Sequence, residues 1–208
     1  MRIVKEHDER KNEILDVSQR LFSEKGYGKC SVNEIINEIG IAKGTFYHYF
    51  KSKEEVLDAI VERTTAMIIE RAKLIGENKE MPPSEKFLNV FLCLRLEDKQ
   101  QLELLDEMHK TENVLMHQKS LVSSVEGITP ILVEIVKEGM EAGAFKCDYP
   151  EEYMRIFMTS TLTLMDEGIF SIPMDKQEKM FQALISMLES MLGLEKNEIW
   201  NVVAPYYR

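Results

Sequence analysis

Glycine and proline are spread so unevenly along this 208-residue chain that they restrict it to helices of two kinds. All six prolines, at 82, 83, 130, 150, 173 and 205, follow residue 81, while Gly26, Gly28, Gly40 and Gly44 crowd together near the start. Between these breaks apolar residues recur every three or four positions, and no stretch alternates apolar and polar residues long enough to make a strand. The early part predicts short helices joined by sharp turns. The later part predicts long helices separated by proline.

Ile14, Val17, Leu21 and Phe22 form the stripe of an amphipathic helix over about 7–25, stopped by Gly26. Ser31 and Glu34 have capping-box spacing, and Val32, Ile35, Ile36 and Ile39 give a two-turn helix one apolar face before Gly40. A third segment, 42–50, buries Phe46 and Phe50 and leaves Lys43, Thr45, Tyr47 and His48 elsewhere on its surface. Ser52 with Glu55 opens a long helix that runs to Ile75. After Pro82-Pro83, Phe87, Val90, Phe91 and Leu94 start another, and a leucine-rich segment reaches Met108. Thr129-Pro130 reads as a cap with proline in the first turn of a helix that ends at Ala142-Gly143. Pro150 and Pro173 bracket a helix over about 151–170, and Asp175 with Glu178 caps the last long one, over about 175–192. The fold class expected is all-α with about nine helices, in a small N-terminal domain over 1–52 and a larger helical domain over 53–208.

Charge at first argues against nucleic acid. With 26 Lys plus Arg against 36 Asp plus Glu the chain carries −10. Cut after Lys53, however, it separates into a head of +2 and a body of −12. Over 25–53 five lysines face only Glu34 and Glu38, a balance of +3. Other classes are excluded more simply. Cys30, Cys93 and Cys147 are odd in number and far apart, so neither a disulfide framework nor a zinc knuckle is expected. The first twenty residues lack the apolar core of a signal peptide, and no uncharged stretch approaches the ~18 residues that span a bilayer. A cytoplasmic protein without membrane contact is expected.

Two short helices joined by a glycine turn, the second presenting polar and aromatic residues, have the helix-turn-helix pattern. The residue types suit a polyanion. Lys43 and Lys53 can neutralise phosphates, Gly44 allows close backbone approach, and Thr45, Tyr47 and His48 offer hydrogen bonds to phosphates or base edges. Ser31 and Ser52 sit where helix N-termini attract anions. The competing reading is a generic helix pair in a bundle with a solvated face, which is common; the charge asymmetry adds weight to DNA and leaves both readings open at this point.

The order Ile14 to Phe22, Gly26-Tyr27, Ser31-Val32, Ile35 and then Gly40 to Glu54 closely resembles the DNA-binding head of the tetracycline-repressor (TetR) family, over about residues 7–57. The resemblance implies a homodimeric, all-helical regulator, usually a repressor, that releases double-stranded operator DNA when a small molecule enters its C-terminal domain. By position, Lys43, Thr45, Tyr47 and His48 resemble recognition-helix contacts, and Ser31 and Lys53 resemble phosphate-gripping positions. Ile36, Ile39 and Ser18 stand where the family commonly has alanine, which bears on packing of the head more than on its DNA surface.

The body diverges from that pattern, and composition guides the reading there. Twelve of the 13 methionines follow residue 66. Methionine fills irregular apolar space, which suits a pocket for a flexible hydrophobic ligand and equally an ordinary core. Candidate effector contacts are Phe87, Phe91, Met108, His109, Met158 and Thr161. Tyr153, Ile156, Phe157 and Leu164 on one of the last two long helices, and Phe181, Leu184, Ile185, Leu188 and Leu192 on the other, predict faces that need partners on both sides. A homodimer through about 151–170 and 175–192 would cover them. No catalytic motif is present, so no enzyme activity, metal or cofactor is expected. Two rivals remain: a helical-bundle metalloenzyme using Glu103, Asp106 and His109, and a DNA-binding protein without an inducer.

Overall fold

Ten α-helices and two 3₁₀ turns account for the regular structure of the computed structural model, which describes residues 7–94 and 99–204. In order they are α1 (His7–Lys25), a 3₁₀ turn at Tyr27–Lys29, α2 (Val32–Ile39), α3 (Lys43–Tyr49), α4 (Lys53–Glu77), α5 (Pro83–Cys93), α6 (Lys99–Met108), a second 3₁₀ turn at Thr111–Asn113, α7 (Val114–Glu141), α8 (Pro150–Leu164), α9 (Met174–Met191) and α10 (Trp200–Val203). The expected all-α class is what is observed, and no strand occurs among the described residues.

The chain divides into two compact units, one from Met1–Thr64 with Glu97–Met116, the other from Thr65–Leu96 with His117–Arg208. This partition differs from the 1–52 and 53–208 reading of the sequence, because burial ignores chain order. In the first unit Ile14, Leu15 and Leu21 of α1, Ile35 of α2, Phe46 of α3, and Val56, Leu57 and Ile60 of α4 share a core with Leu104 and Met108 of α6. Leu102, Leu104 and Leu105 look like any amphipathic turn in one dimension. Only packing assigns Leu104 to the head.

Local signals place the early helices. Ser31 Oγ accepts from Glu34 N at 3.3 Å while the Glu34 carboxylate accepts from Ser31 N at 2.9 Å, the reciprocal capping box that starts α2. Gly40 ends it with φ +73°, a left-handed conformation that β-carbon-bearing residues resist. Ser52 Oγ accepts from Glu55 N at 3.2 Å at the start of α4, as its spacing predicts. At position 18 the serine is fully buried and its hydroxyl makes no hydrogen bond.

In the second unit Phe87 and Val90 of α5, Ile128, Leu132 and Val136 of α7, Met154, Phe157 and Met158 of α8, and Leu188 and Leu192 of α9 form the core. Lys86 is wholly buried, and its ammonium donates to Glu138 Oε2 at 2.6 Å, tying α5 to α7. Three features depart from expectation. First, α7 does not begin at Thr129-Pro130 but runs through Pro130 from Val114. Proline's fixed φ is helical and Pro130 lies on the exposed side, while Ile128, Leu132 and Ile135 hold both flanks in the core. Second, α8 stops at Leu164 and not near residue 170, with Met165 as its cap, and α9 starts one residue early after Pro173, leaving Asp175 in the first turn beside the positive end of the helix. Third, α10 carries no periodic signal. It is held by Glu189, a buried carboxylate that accepts from the backbone N–H groups of Asn197, Ile199 and Trp200 at 2.9, 2.9 and 3.1 Å.

The apolar faces expected to demand a dimer partner are largely covered within one chain. Phe181, Leu184, Ile185, Leu188 and Leu192 are all buried. What α9 turns outward is Asp175, Lys176, Glu178 and Lys179 in its first half and Gln182, Ala183, Ser186 and Ser190 in its second, and what α8 turns outward is Glu151, Glu152, Arg155, Ile156 and Thr159.

Candidate nucleic-acid interface

Phe46 anchors α3 with no exposed surface, and Phe50 caps it while packing into the same core. Burial of that one face presents the other. Lys43, Gly44, Tyr47 and His48 are exposed and Thr45 is half-buried, so five of the seven residues expected to meet DNA share one helix of seven residues. The Lys43 ammonium lies 5.8 Å from the Tyr47 ring centroid, one turn along, which keeps cation and phenol together on the outer face. A β-carbon on Gly44 would meet nothing within 4 Å and its φ is not positive, so nothing inside this chain requires glycine there.

His48 does not stand alone. Its ring lies 5.1 Å from Tyr49 and 6.0 Å from His7, and the His7 ring lies 4.8 Å from Tyr49. Position 7 is thus a neighbour of α3 that sequence reasoning missed, and no local pattern in the first helix signals it.

The two acidic residues of the basic stretch are engaged on their own side. Glu38 accepts from Arg20 at 2.5 Å, and Glu34 from Lys25 at 3.0 Å. The Ser31 backbone N–H first, then Lys25 and the Ser31 hydroxyl, hold the Glu34 carboxyl down at about 2. No acidic residue lies on α3 itself. Ser31 has its hydroxyl in the capping box, donating to Glu34 Oε2 at 2.9 Å.

Lys53 has contacts within the chain that the sequence reading did not include. Expected as a phosphate contact, its ammonium donates to Tyr27 O at 2.7 Å and Cys30 O at 3.0 Å and lies 4.0 Å from the Tyr27 ring centroid. The residue that begins α4 thereby clamps the 3₁₀ turn that precedes α2. Two of its three N–H donors serve the fold. Lys29 and Lys51 are exposed nearby in sequence and were passed over because neither lies on a periodic face.

The expected effector contacts fall in different units. Phe87, Phe91, Met158 and Thr161 belong to the second unit. There Phe91 stacks on Phe181 at 5.6 Å, Phe87 and Phe91 lie 6.3 and 6.1 Å from Phe157, and the buried Thr161 hydroxyl has no hydrogen-bond partner. Met108 instead belongs to the core of the first unit, and His109 is half-buried at the end of α6 with its backbone N–H on Leu105 O at 3.0 Å. Neither Glu103 nor Asp106 belongs to a cluster of three candidate ligand atoms among the described residues. In the second unit His117 Nε2 lies 2.8 Å from Asp166 Oδ2, both side chains largely buried.

Comparison with known proteins bears on both units. Residues 14–60 match the family described as bacterial regulatory proteins, tetR family, and 98–189 match the tetracyclin repressor-like C-terminal domain, together about two thirds of the chain. The fatty acid metabolism regulator protein of Bacillus subtilis is 24% identical over 192 residues, 91% of this chain and 95% of that protein. An uncharacterized HTH-type transcriptional regulator of the same organism, YerO, is 32% identical over 114 residues, 55% of this chain but only 39% of its own length. Among solved structures, a transcriptional regulator of the TetR/AcrR family from Thermobifida fusca superposes with a TM-score of 0.59 at 25% identity, covering 86% of this chain and 97% of the other. A transcriptional regulator from Cytophaga hutchinsonii reaches 0.65 at 18% identity, covering 88% and 97%.

Proposed function

Because the chain belongs to the tetR family of bacterial regulatory proteins and is a DNA-binding transcriptional regulator, we propose that it is a repressor released from its operator by a small hydrophobic effector. The observation that carries the DNA part is the outer face of α3: Lys43, Gly44, Thr45, Tyr47 and His48 are displayed without any acidic neighbour on a helix whose opposite face is locked by Phe46. Ser31 and Lys53 grip phosphates on either side. Domain 1–52 carries recognition and 53–208 carries effector binding and dimerisation.

Two copies pair through the outward faces of α8 and α9. Ala183, Ser186 and Ser190 are small enough for close helix approach, and Ile156, 48% exposed, supplies an apolar contact. A twofold pair sets two α3 helices against half-sites one turn or a multiple of a turn apart. The effector is taken in the second unit, and the unsatisfied Thr161 hydroxyl beside Phe157 on the same helix face, with Phe87, Phe91 and Met158, supports an apolar ligand that carries one hydrogen-bonding group. The full-length relative named for fatty acid metabolism is in keeping with such a ligand. Regulation then follows population shift, the effector favouring a conformation that misplaces α3.

Selection from a pool of random duplexes tests the assignment. Enrichment of a palindrome is the expected result, with Y47A lowering affinity for it in fluorescence anisotropy while the dimer stays folded. Binding without sequence preference, or Y47A binding as tightly as the unaltered chain, overturns it.

A further inference from the structure

His7 opens α1, yet its ring lies against the helix that faces DNA. Three rings meet there. The His7 ring is 4.8 Å from that of Tyr49 and 6.0 Å from that of His48, and the His48 and Tyr49 rings are 5.1 Å apart. All three separations fall within the range of about 4.5–7 Å over which aromatic pairs attract. Both ring contacts of His48 are edge to face, with interplanar angles of 82°.

The three rings are held to different degrees. Tyr49 is half-buried and packs against the core of the first unit. The face of α1 that carries His7 runs on through the buried Ile14 and Leu21, one and two heptads later, so position 7 is tied to the same core. His48 is exposed in the last turn of α3. An exposed imidazole turns among its staggered rotamers unless neighbours restrict it. Tyr49 restricts His48 from within α3, and His7 adds a second ring from a different helix.

A direct phosphate contact by His7 fits the surroundings less well. Its Nδ1 lies 3.3 Å from Asp8 Oδ1, and both side chains are exposed, so a phosphate brought to the His7 ring also meets the Asp8 carboxylate. Like charges at that spacing repel.

We propose that His7 is a positioning residue for operator binding: through its ring contacts with Tyr49 and His48 it holds the His48 imidazole in the orientation that hydrogen-bonds DNA. Ordering a mobile side chain on association lowers affinity by about two- to tenfold, and a side chain ordered beforehand avoids that loss. The inference rests on the reading of His48 as an operator contact, and it does not need His7 to touch DNA.

Operator affinity of the full-length chain is measured by fluorescence anisotropy for H7A, H7F, H48A and H7A/H48A. H7A should weaken binding about two- to tenfold at each half-site. H7F keeps a ring on Tyr49 and can neither donate nor accept a hydrogen bond, so it should restore most of that loss. Because the effect passes through His48, H7A should cost nothing further in the H48A background, and it should leave the slope of log affinity against log salt unchanged. Thermal unfolding of H7A should coincide with that of the unaltered chain, since His7 is exposed.

H7A binding as tightly as the unaltered chain, H7F binding as weakly as H7A, or an equal loss from H7A with and without His48 overturns the inference. A shallower salt slope for H7A does so too, because His7 would then neutralise a phosphate itself, and a lowered melting temperature would make position 7 a structural residue of the head. Failure of the DNA reading looks different. If H48A binds normally while Y47A binds weakly, α3 still reads DNA and only the roles given to His48 and His7 fall. If both bind as tightly as the unaltered chain, the operator face itself is wrong and the inference falls with it.

Discussion

Residues 25–53 and the core of the second unit handle their chemistry in opposite ways. In the former, short helices are held by one or two buried apolar residues each, Ile35 and Ile36 in α2 and Phe46 in α3, and polar side chains point away from the core: Phe46 goes in, and Tyr47 and His48 go out. In the latter, Phe87, Phe157, Met158 and Thr161 all point inward, and any ligand must replace packing that the chain otherwise makes with itself. An interface built on exposed groups can be altered without unfolding the protein. A site built from core residues cannot be probed so cleanly, since each truncation there also opens a cavity.

The largest effect should separate these regimes. Phe157→Ala removes a fully buried ring that touches two other aromatics, and should lower stability by about 3–5 kcal/mol in thermal or urea unfolding. Operator affinity per folded molecule should hardly move. A stability change below about 1 kcal/mol would show that the aromatic core is loosely packed and break the contrast.

Tyr47→Ala should do the reverse. Loss of about 1–3 kcal/mol of DNA binding is expected, roughly ten- to hundredfold in anisotropy, with thermal stability unchanged because the ring is 46% exposed. Gly44→Ala sharpens the comparison further, since replacing a helical glycine whose β-carbon position is open should stabilise the protein by up to about 1 kcal/mol while weakening its grip on DNA. If G44A binds operator normally, close backbone approach at α3 is not part of recognition. Lys43→Gln should leave stability alone and flatten the plot of log affinity against log salt by about 0.9 for each phosphate that the lysine neutralises.

The smallest effect concerns the cap that positions Ser31. The Glu34 carboxyl, at about 2 in the folded chain, lies below its ordinary 4.5, so it favours the folded state above pH 4.5. That advantage disappears as pH falls toward 2. Glu34→Gln should therefore melt lower than the unaltered chain at neutral pH, with the two melting curves converging over that acid window. Parallel curves from pH 7 to 3 would mean that the capping box contributes nothing through charge.

How much of this was legible depends on where the information lies. The bounds of α1, the capping box at Ser31, the hydroxyl cap at Ser52 and the stop at Gly40 come from interactions within four residues, and the sequence shows them directly, although the Glu55 carboxylate closes on the N–H of Lys51 and not on that of Ser52. The outward set on α3 follows from the same periodicity that buries Phe46 and Phe50. Lys53 was harder to read. A lysine opening a helix after the recognition segment looks like a phosphate contact, and nothing near it says that Tyr27 and Cys30, 26 and 23 residues earlier, bring two carbonyls to its ammonium. Pro130 misled for the opposite reason: the local rule favours a helix start, and core contacts on both flanks override it.

The sequence alone determined helicity, most of the breaks, the basic head within an acidic chain, and which face of α3 is exposed, because each depends on spacing or composition over a few turns. Tertiary structure decided which residues share a core and which polar groups are spoken for. It moved Met108 into the packing of the head, covered the apolar faces of α8 and α9 within one chain, and gave Glu189 the backbone of α10 to hold. Those outcomes depend on which surfaces close over one another, and burial joins residues by distance in space, which spacing along the chain does not record.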